Sequence, residues 1–112
     1  MSEFRVRSKV WLEFDGQPFL GDGRYRILVA IEHTGSINAA AKQLDISYRK
    51  AWSQLQVMEE HAPFPLLQRR LGGKGGGATL LTEAARELLK KFRELRKQVN
   101  SAADRSFEDL FL

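Results

Sequence analysis

Between Gly21 and Pro65 the chain is cut by its own punctuation into three helices too short to be stable in isolation. After Gly21, Ile27, Leu28 and Ile31 share one helical face, and Gly35 is a natural stop. Ser36 is placed to cap a second helix in which Ile37, Ala40, Ala41 and Leu44 repeat at helical spacing. Its alanines let a neighbouring helix approach closely. Asp45-Ile46 makes a tight connection, and Ser47 is placed to cap a third helix with an apolar stripe of Tyr48, Ala51, Trp52, Leu55 and Met58. Pro63 and Pro65 forbid its continuation. Short helices joined this tightly must pack on one another, and the last two form a helix-turn-helix.

Strand patterns flank this core. Residues 4–14 alternate, with Phe4, Val6, Ser8, Val10, Leu12 and Phe14 on one face and Arg5, Arg7, Lys9, Trp11 and Glu13 on the other. Period two over this length predicts a half-buried strand, turned by Asp15-Gly16 into a return strand at Gln17–Leu20. A second hairpin is predicted from Leu66–Leu71 and Ala78–Leu81, joined by the glycine-rich run 72–77. Thr82 then caps a final helix, with Glu83 favourable to its dipole. Leu88, Phe92, Leu95 and Val99 give it a seam of coiled-coil type, with Phe107, Leu110 and Phe111 extending or docking its end. The expected fold is mainly α with small β elements: a winged helix-turn-helix with an N-terminal β-hairpin and a long C-terminal dimerisation helix. Residues 1–81 form the domain (hairpin 4–20, wing 66–81), and residues 82–112 the amphipathic helix. The seam predicts a homodimer through Leu88, Phe92, Leu95 and Val99; the alternative is packing of that stripe against the chain's own hairpin.

Composition narrows the function. The 112 residues are 43% hydrophobic and 29% charged, a globular balance. There is no cysteine, so disulfides and thiolate metal sites are excluded, and His33 and His61 are too few for a metal cage. No cofactor is expected. No apolar stretch approaches the roughly 20 residues of a membrane span, and the N-terminus lacks the pattern of a signal peptide. A cytoplasmic protein, associated with the nucleoid, is expected. Asp15, Asp22 and Glu13 have no partner base or metal-ligand pattern, which argues against an enzyme. His33 suits the carbonyls at a helix C-terminus, and His61 reads as a loop residue.

The net charge is +4, spread along the chain instead of gathered in a tail. A polyanion would therefore be met by placed side chains on a fold. Removing the apolar stripe from the third helix leaves Ser47, Arg49, Lys50, Ser53 and Gln54 toward solvent. Arginine and lysine donate to guanine O6 and N7, glutamine pairs with adenine, and serine serves bases or phosphates. The same residues are also what an ordinary solvated helix surface carries. Arg69 and Arg70 on the second hairpin, with Lys74 in its tip, favour duplex DNA, since a basic wing touches phosphates or the minor groove. A nucleotide-phosphate loop is not supported, because Lys74 is followed by Gly75 and then by a strand. The remaining alternative is a protein-interaction adaptor on the same scaffold.

Gly35-Ser36-Ile37 followed by Ala39-Ala40-Ala41-Lys42, then Ile46-Ser47-Tyr48-Arg49-Lys50-Ala51-Trp52, Gly72-Gly73-Lys74-Gly75-Gly76-Gly77-Ala78 and Leu81-Thr82, resembles the N-terminal DNA-binding domain of ModE-type molybdate-responsive transcriptional regulators. The Gly-Ser, double alanine and late Leu-Thr are shared more distantly with LysR-type regulators. The likeness covers roughly residues 8–90. It implies a winged helix, dimerisation through terminal helices and a palindromic operator. It further implies phosphate contacts from Ser36 and Lys42, a groove-facing set of Ser47, Tyr48, Arg49, Lys50 and Ser53, and wing contacts from Arg69 and Lys74. By the same likeness Trp52 is core. Two departures stand out: Glu83-Ala84-Ala85 replaces a glycine usual in the family, and no molybdate-binding module follows the last helix. The expectation is a stand-alone reading unit with no molybdate site.

Overall fold

The computed structural model describes residues 3–70 and 78–112. In chain order the elements are β1 (Leu12–Phe14), β2 (Gln17–Leu20), α1 (Asp22–Thr34), α2 (Ile37–Gln43), α3 (Tyr48–His61), β3 (Leu67–Arg70), β4 (Ala78–Leu81) and α4 (Glu83–Phe111). Each pair of strands forms an antiparallel hairpin, β1 with β2 and β3 with β4. Asp15 (φ 51°) and Gly16 (φ 77°) are both left-handed, the combination that matches a two-residue turn to strand twist.

The N-terminal strand is much shorter than the alternation predicts. Pairing stops at Leu12, because β2 offers only four residues before α1 begins. Residues 3–11 instead run beside α4. The Ser8 hydroxyl donates to Asn100 Oδ1, and Phe4 lies 6.2 Å from Phe111. Val6, Val10 and Leu12 are half-buried while Arg5, Arg7, Lys9 and Trp11 are exposed, so period two marks one face laid along a helix.

The helix boundaries follow the capping chemistry. Gly35 ends α1 with φ 76°, its amide donating to Ile31 O at 2.7 Å. Ser36 Oγ accepts from Ala39 N at 2.9 Å, Ser47 Oγ from Lys50 N at 3.0 Å, and Thr82 Oγ1 from Ala85 N at 3.1 Å. The turn between α2 and α3 contains Asp45 at φ 56°, and Ile46 N closes it on Ala41 O. Ala40, Ala41 and Ala51 are essentially sealed, which is how these two short helices come so close. His61 is the last residue of α3 rather than a loop residue, its Nδ1 within 2.9 Å of Val57 O.

All buried residues among those described are hydrophobic, and they form one core drawn from β2, all four helices, β4 and Leu66. The first turns of α4 belong to it through Ala85, Leu89 and Phe92. Phe92 is 1% exposed and lies 5.5 Å from the Tyr25 ring, so the expected seam is corrected here: this phenylalanine is spent inside the chain. Arg96 stacks on Tyr25 at 4.6 Å and pairs with Asp22 at 2.9 Å. Arg93 donates to the Tyr25 hydroxyl, a bond that raises the pKa of its guanidinium. Beyond Phe92 no residue of α4 is buried. The 29-residue helix, roughly 43 Å long, continues with Leu95 exposed, Val99 half-buried, and Phe107 stacked on Phe111 at 4.9 Å.

Candidate nucleic-acid interface

At about 100° per residue, α3 can be divided around its axis from its buried members Ala51, Leu55 and Met58. Opposite them stand Arg49, Ser53 and Gln56 and, in the last turn, Glu60, all exposed. One flank carries Tyr48, Trp52 and Glu59, and the other Lys50, Gln54 and Val57. Two anchors orient these flanks in the fold. Glu59 Oε1 accepts from Leu66 N at 3.0 Å and Leu67 N at 2.7 Å, so its flank faces the second hairpin. Gln54 Oε1 accepts from Arg24 Nε at 2.7 Å, and Arg24 also donates to Pro18 O and Phe19 O, so the other flank faces the first hairpin.

Several sequence expectations move. Trp52 is not core: it is 42% exposed. The close approach of α2 narrows the buried stripe to Ala51, Leu55 and Met58, and Trp52 sits roughly a quarter-turn away. Tyr48, which periodicity places in the stripe and the family likeness in the groove, is 51% exposed. Gln54 is half-buried and its carbonyl is occupied by Arg24, leaving its amide nitrogen as the group still free to donate outward. Ser36 and Ser47 both use their hydroxyl oxygens as caps, which fixes the two helix starts in the same stroke. Gln56 was missed; its place three residues after Ser53 on the exposed face is the signal that marks it.

The second hairpin is held by three elements at once. Thr79 N donates to Gly35 O at 2.8 Å, at the turn between α1 and α2, and Thr82 N donates to Leu66 O. With the Glu59 carboxylate, these bonds fix the wing beside α3. Arg69 and Arg70 are exposed, opposite Thr79 and Ala78 in the register. Being consecutive in a strand, they point to opposite faces. Lys74 and the glycine tip lie outside the described residues. Lys42, at the end of α2, is exposed. Among the described residues the ion pairs join Arg5 to Glu3, Arg86 to Glu32 and Glu83, and Arg96 to Asp22, and none engages Lys42, Arg49, Lys50, Arg69 or Arg70. These cations are therefore not committed to an ion pair among the described residues.

A groove of about 950 Å³ lies between the N-terminal segment and α3, bordered by Lys9, Trp11, Glu13, Asp22, Arg24 and Lys50 among others. No group of three or more histidines, cysteines or carboxylates able to hold a metal exists among the described residues. No helix among them is long and apolar enough to cross a membrane.

Known proteins share this arrangement. Residues 23–88, more than half of the chain, match the family model of the bacterial regulatory helix-turn-helix proteins of the lysR family. The chain is 41% identical over 110 residues to the molybdenum transport protein ModE of Azotobacter vinelandii, covering 98% of this chain and 41% of that protein. It is 44% identical over 79 residues to the transcriptional regulator ModE of Haemophilus influenzae, covering 70% and 31%. The chain thus spans less than half the length of these relatives. Among solved structures, the DNA-binding domain of CbnR in complex with DNA superposes with a TM-score of 0.57 at 25% identity, over 78% of this chain and 94% of that one. CbnR alone, described as a LysR family transcriptional regulator, gives 0.55 at 27% identity, over 75% of this chain and 27% of that one. With the capped helix pair and the anchored hairpin, these likenesses show that the chain belongs to the lysR family of bacterial regulatory helix-turn-helix proteins, as a winged, non-enzymatic DNA-binding domain of ModE-like type.

Proposed function

We propose that the chain is a sequence-specific reader of duplex DNA that places α3 in the major groove as a homodimer. The observation that carries this is the face of α3 opposite the core, where Arg49 and Ser53 stand exposed beside Lys50 with no ion pair among the described residues. Arg49, Lys50 and Ser53 address base edges, with Tyr48 beside them. Ser36, Ser47 and Lys42 hold phosphates, and Gln54 reaches the groove edge through its amide nitrogen. Arg69, Arg70 and Lys74 serve the backbone or the minor groove from the wing. Residues 1–81 act as the reading domain and 82–112 as the dimer element, whose remaining contact set is the exposed Leu95 with the half-buried Leu88 and Val99. Two copies would present their α3 helices to successive major grooves. The site of action is the cytoplasmic nucleoid, and no molybdate site is assigned to this chain.

The deciding experiment measures affinity for random duplex at low and moderate salt, with an Arg49→Ala/Lys50→Ala variant alongside. Steep weakening with salt, and weaker binding by the variant, is expected. Unchanged binding in the variant removes the assignment of α3. Absence of duplex affinity at low salt would leave the scaffold as a protein-interaction adaptor.

A further inference from the structure

We propose that Tyr48 and Trp52 form an aromatic strip that reads thymine through its 5-methyl group; this rests on the placement of α3 in the major groove. The two rings are one helical turn apart, share a flank and are both exposed, at 51% and 42%. A half-exposed indole on the helix that carries Arg49 and Ser53 is a large apolar surface without an internal partner to cover it. The seam that would join two copies lies on a different element, α4, and does not need it.

The chemistry of the groove selects the occupant. Every base pair offers polar edge atoms to the major groove, and the one apolar group among them is the thymine methyl. Arg49, Lys50, Ser53 and Gln56 on the neighbouring faces of α3 are matched to the polar edges, and the aromatic strip to the methyl. Intercalation is a poor alternative. Apolar wedges act from the minor groove, whereas Trp52 sits in the second turn of a groove-reading helix, between Tyr48 and Glu59. The strip lies on the flank that Glu59 ties to β3, so the methyls it covers fall on the wing side of each half-site.

The test uses the full chain. Selection from random duplexes gives the preferred half-site, which is then remade with deoxyuridine for thymidine; the pairing is kept and only the methyl is lost. Wild-type protein is expected to bind the uridine duplex roughly fourfold more weakly for each methyl covered. Trp52→Ala should bind the thymidine duplex more weakly and lose the discrimination, Trp52→Phe should retain part of it, and Arg49→Ala should weaken both duplexes while keeping their ratio. Equal wild-type affinity for the two duplexes, with salt-dependent binding intact, overturns the methyl assignment and leaves α3 as reader. Selected half-sites without thymine, or a ratio unchanged in Trp52→Ala, overturn it equally. Loss of all duplex binding by the wild type sinks both assignments. Thermal unfolding accompanies each variant, and the uridine comparison on wild-type protein decides even if Trp52→Ala does not fold.

Discussion

The stripes of α3 and α4 look alike as patterns and are used in opposite ways. On α3 the aromatic residues of the stripe, Tyr48 and Trp52, face outward, and its core contacts are Ala51, Leu55 and Met58. On α4 the aromatic Phe92 is driven inward against Tyr25, and the aliphatic Leu95 is left exposed. The cause is the neighbour. α3 meets the alanine-rich α2 at close range, where an indole would not fit. The start of α4 meets α1 across Tyr25, where a large ring fills the gap. An apolar period therefore reports the width of a stripe, while the opposing element decides which of its members are covered.

The sharpest way to break that comparison is to truncate the two aromatics in parallel. Phe92→Ala should cost about 3–5 kcal/mol of stability. Trp52→Ala, already 42% exposed, should cost well under half of that in thermal or denaturant unfolding. Equal losses would mean that both rings are core. Arg49→Ala/Lys50→Ala should reduce affinity for the preferred duplex by about 1–3 kcal/mol per lost base contact, with the unfolding midpoint unchanged. Ser47→Ala removes the bond from Lys50 N and should cost about 1 kcal/mol, measurable by urea titration. Leu95→Ala should have the smallest effect on dilute protein, within about 0.5 kcal/mol. In concentrated samples it should raise the dimer dissociation constant measured by sedimentation. A large stability loss at low concentration would place Leu95 in the core with Phe92.

Local chemistry was legible in the sequence. Gly35, Ser36, Ser47 and Thr82 act at the helix ends where their residue types place them, and Asp15-Gly16 makes the expected turn. These features depend on a few adjacent residues, so a single sequence contains them. What escaped depends on partners distant in the chain. Residues 4–11 keep a strand's alternation but find α4, more than ninety positions away at Ser8 and Asn100, instead of a longer β2. Gln54 reads as a free groove-facing amide until Arg24, thirty positions earlier, takes its carbonyl. Gln56 was hidden for the reverse reason: its place on the outer face becomes clear only once the buried stripe is known to be narrow. The proposed dimer and base contacts belong to the same class, since their partners would lie outside the chain.

Arg24 ties three things together with one planar group: the carbonyls of Pro18 and Phe19 at the end of the first hairpin, and Gln54 in the middle of α3. A rotation of α3 about its axis would break the bond at Gln54, and a shift of the hairpin would break those at the carbonyls. Arg24 thus couples the placement of the hairpin to that of α3. The segment running from that hairpin past Ser8 to Phe4 reaches the far end of α4. A change in the tilt of α4 would be felt along that segment at the hairpin that Arg24 ties to α3.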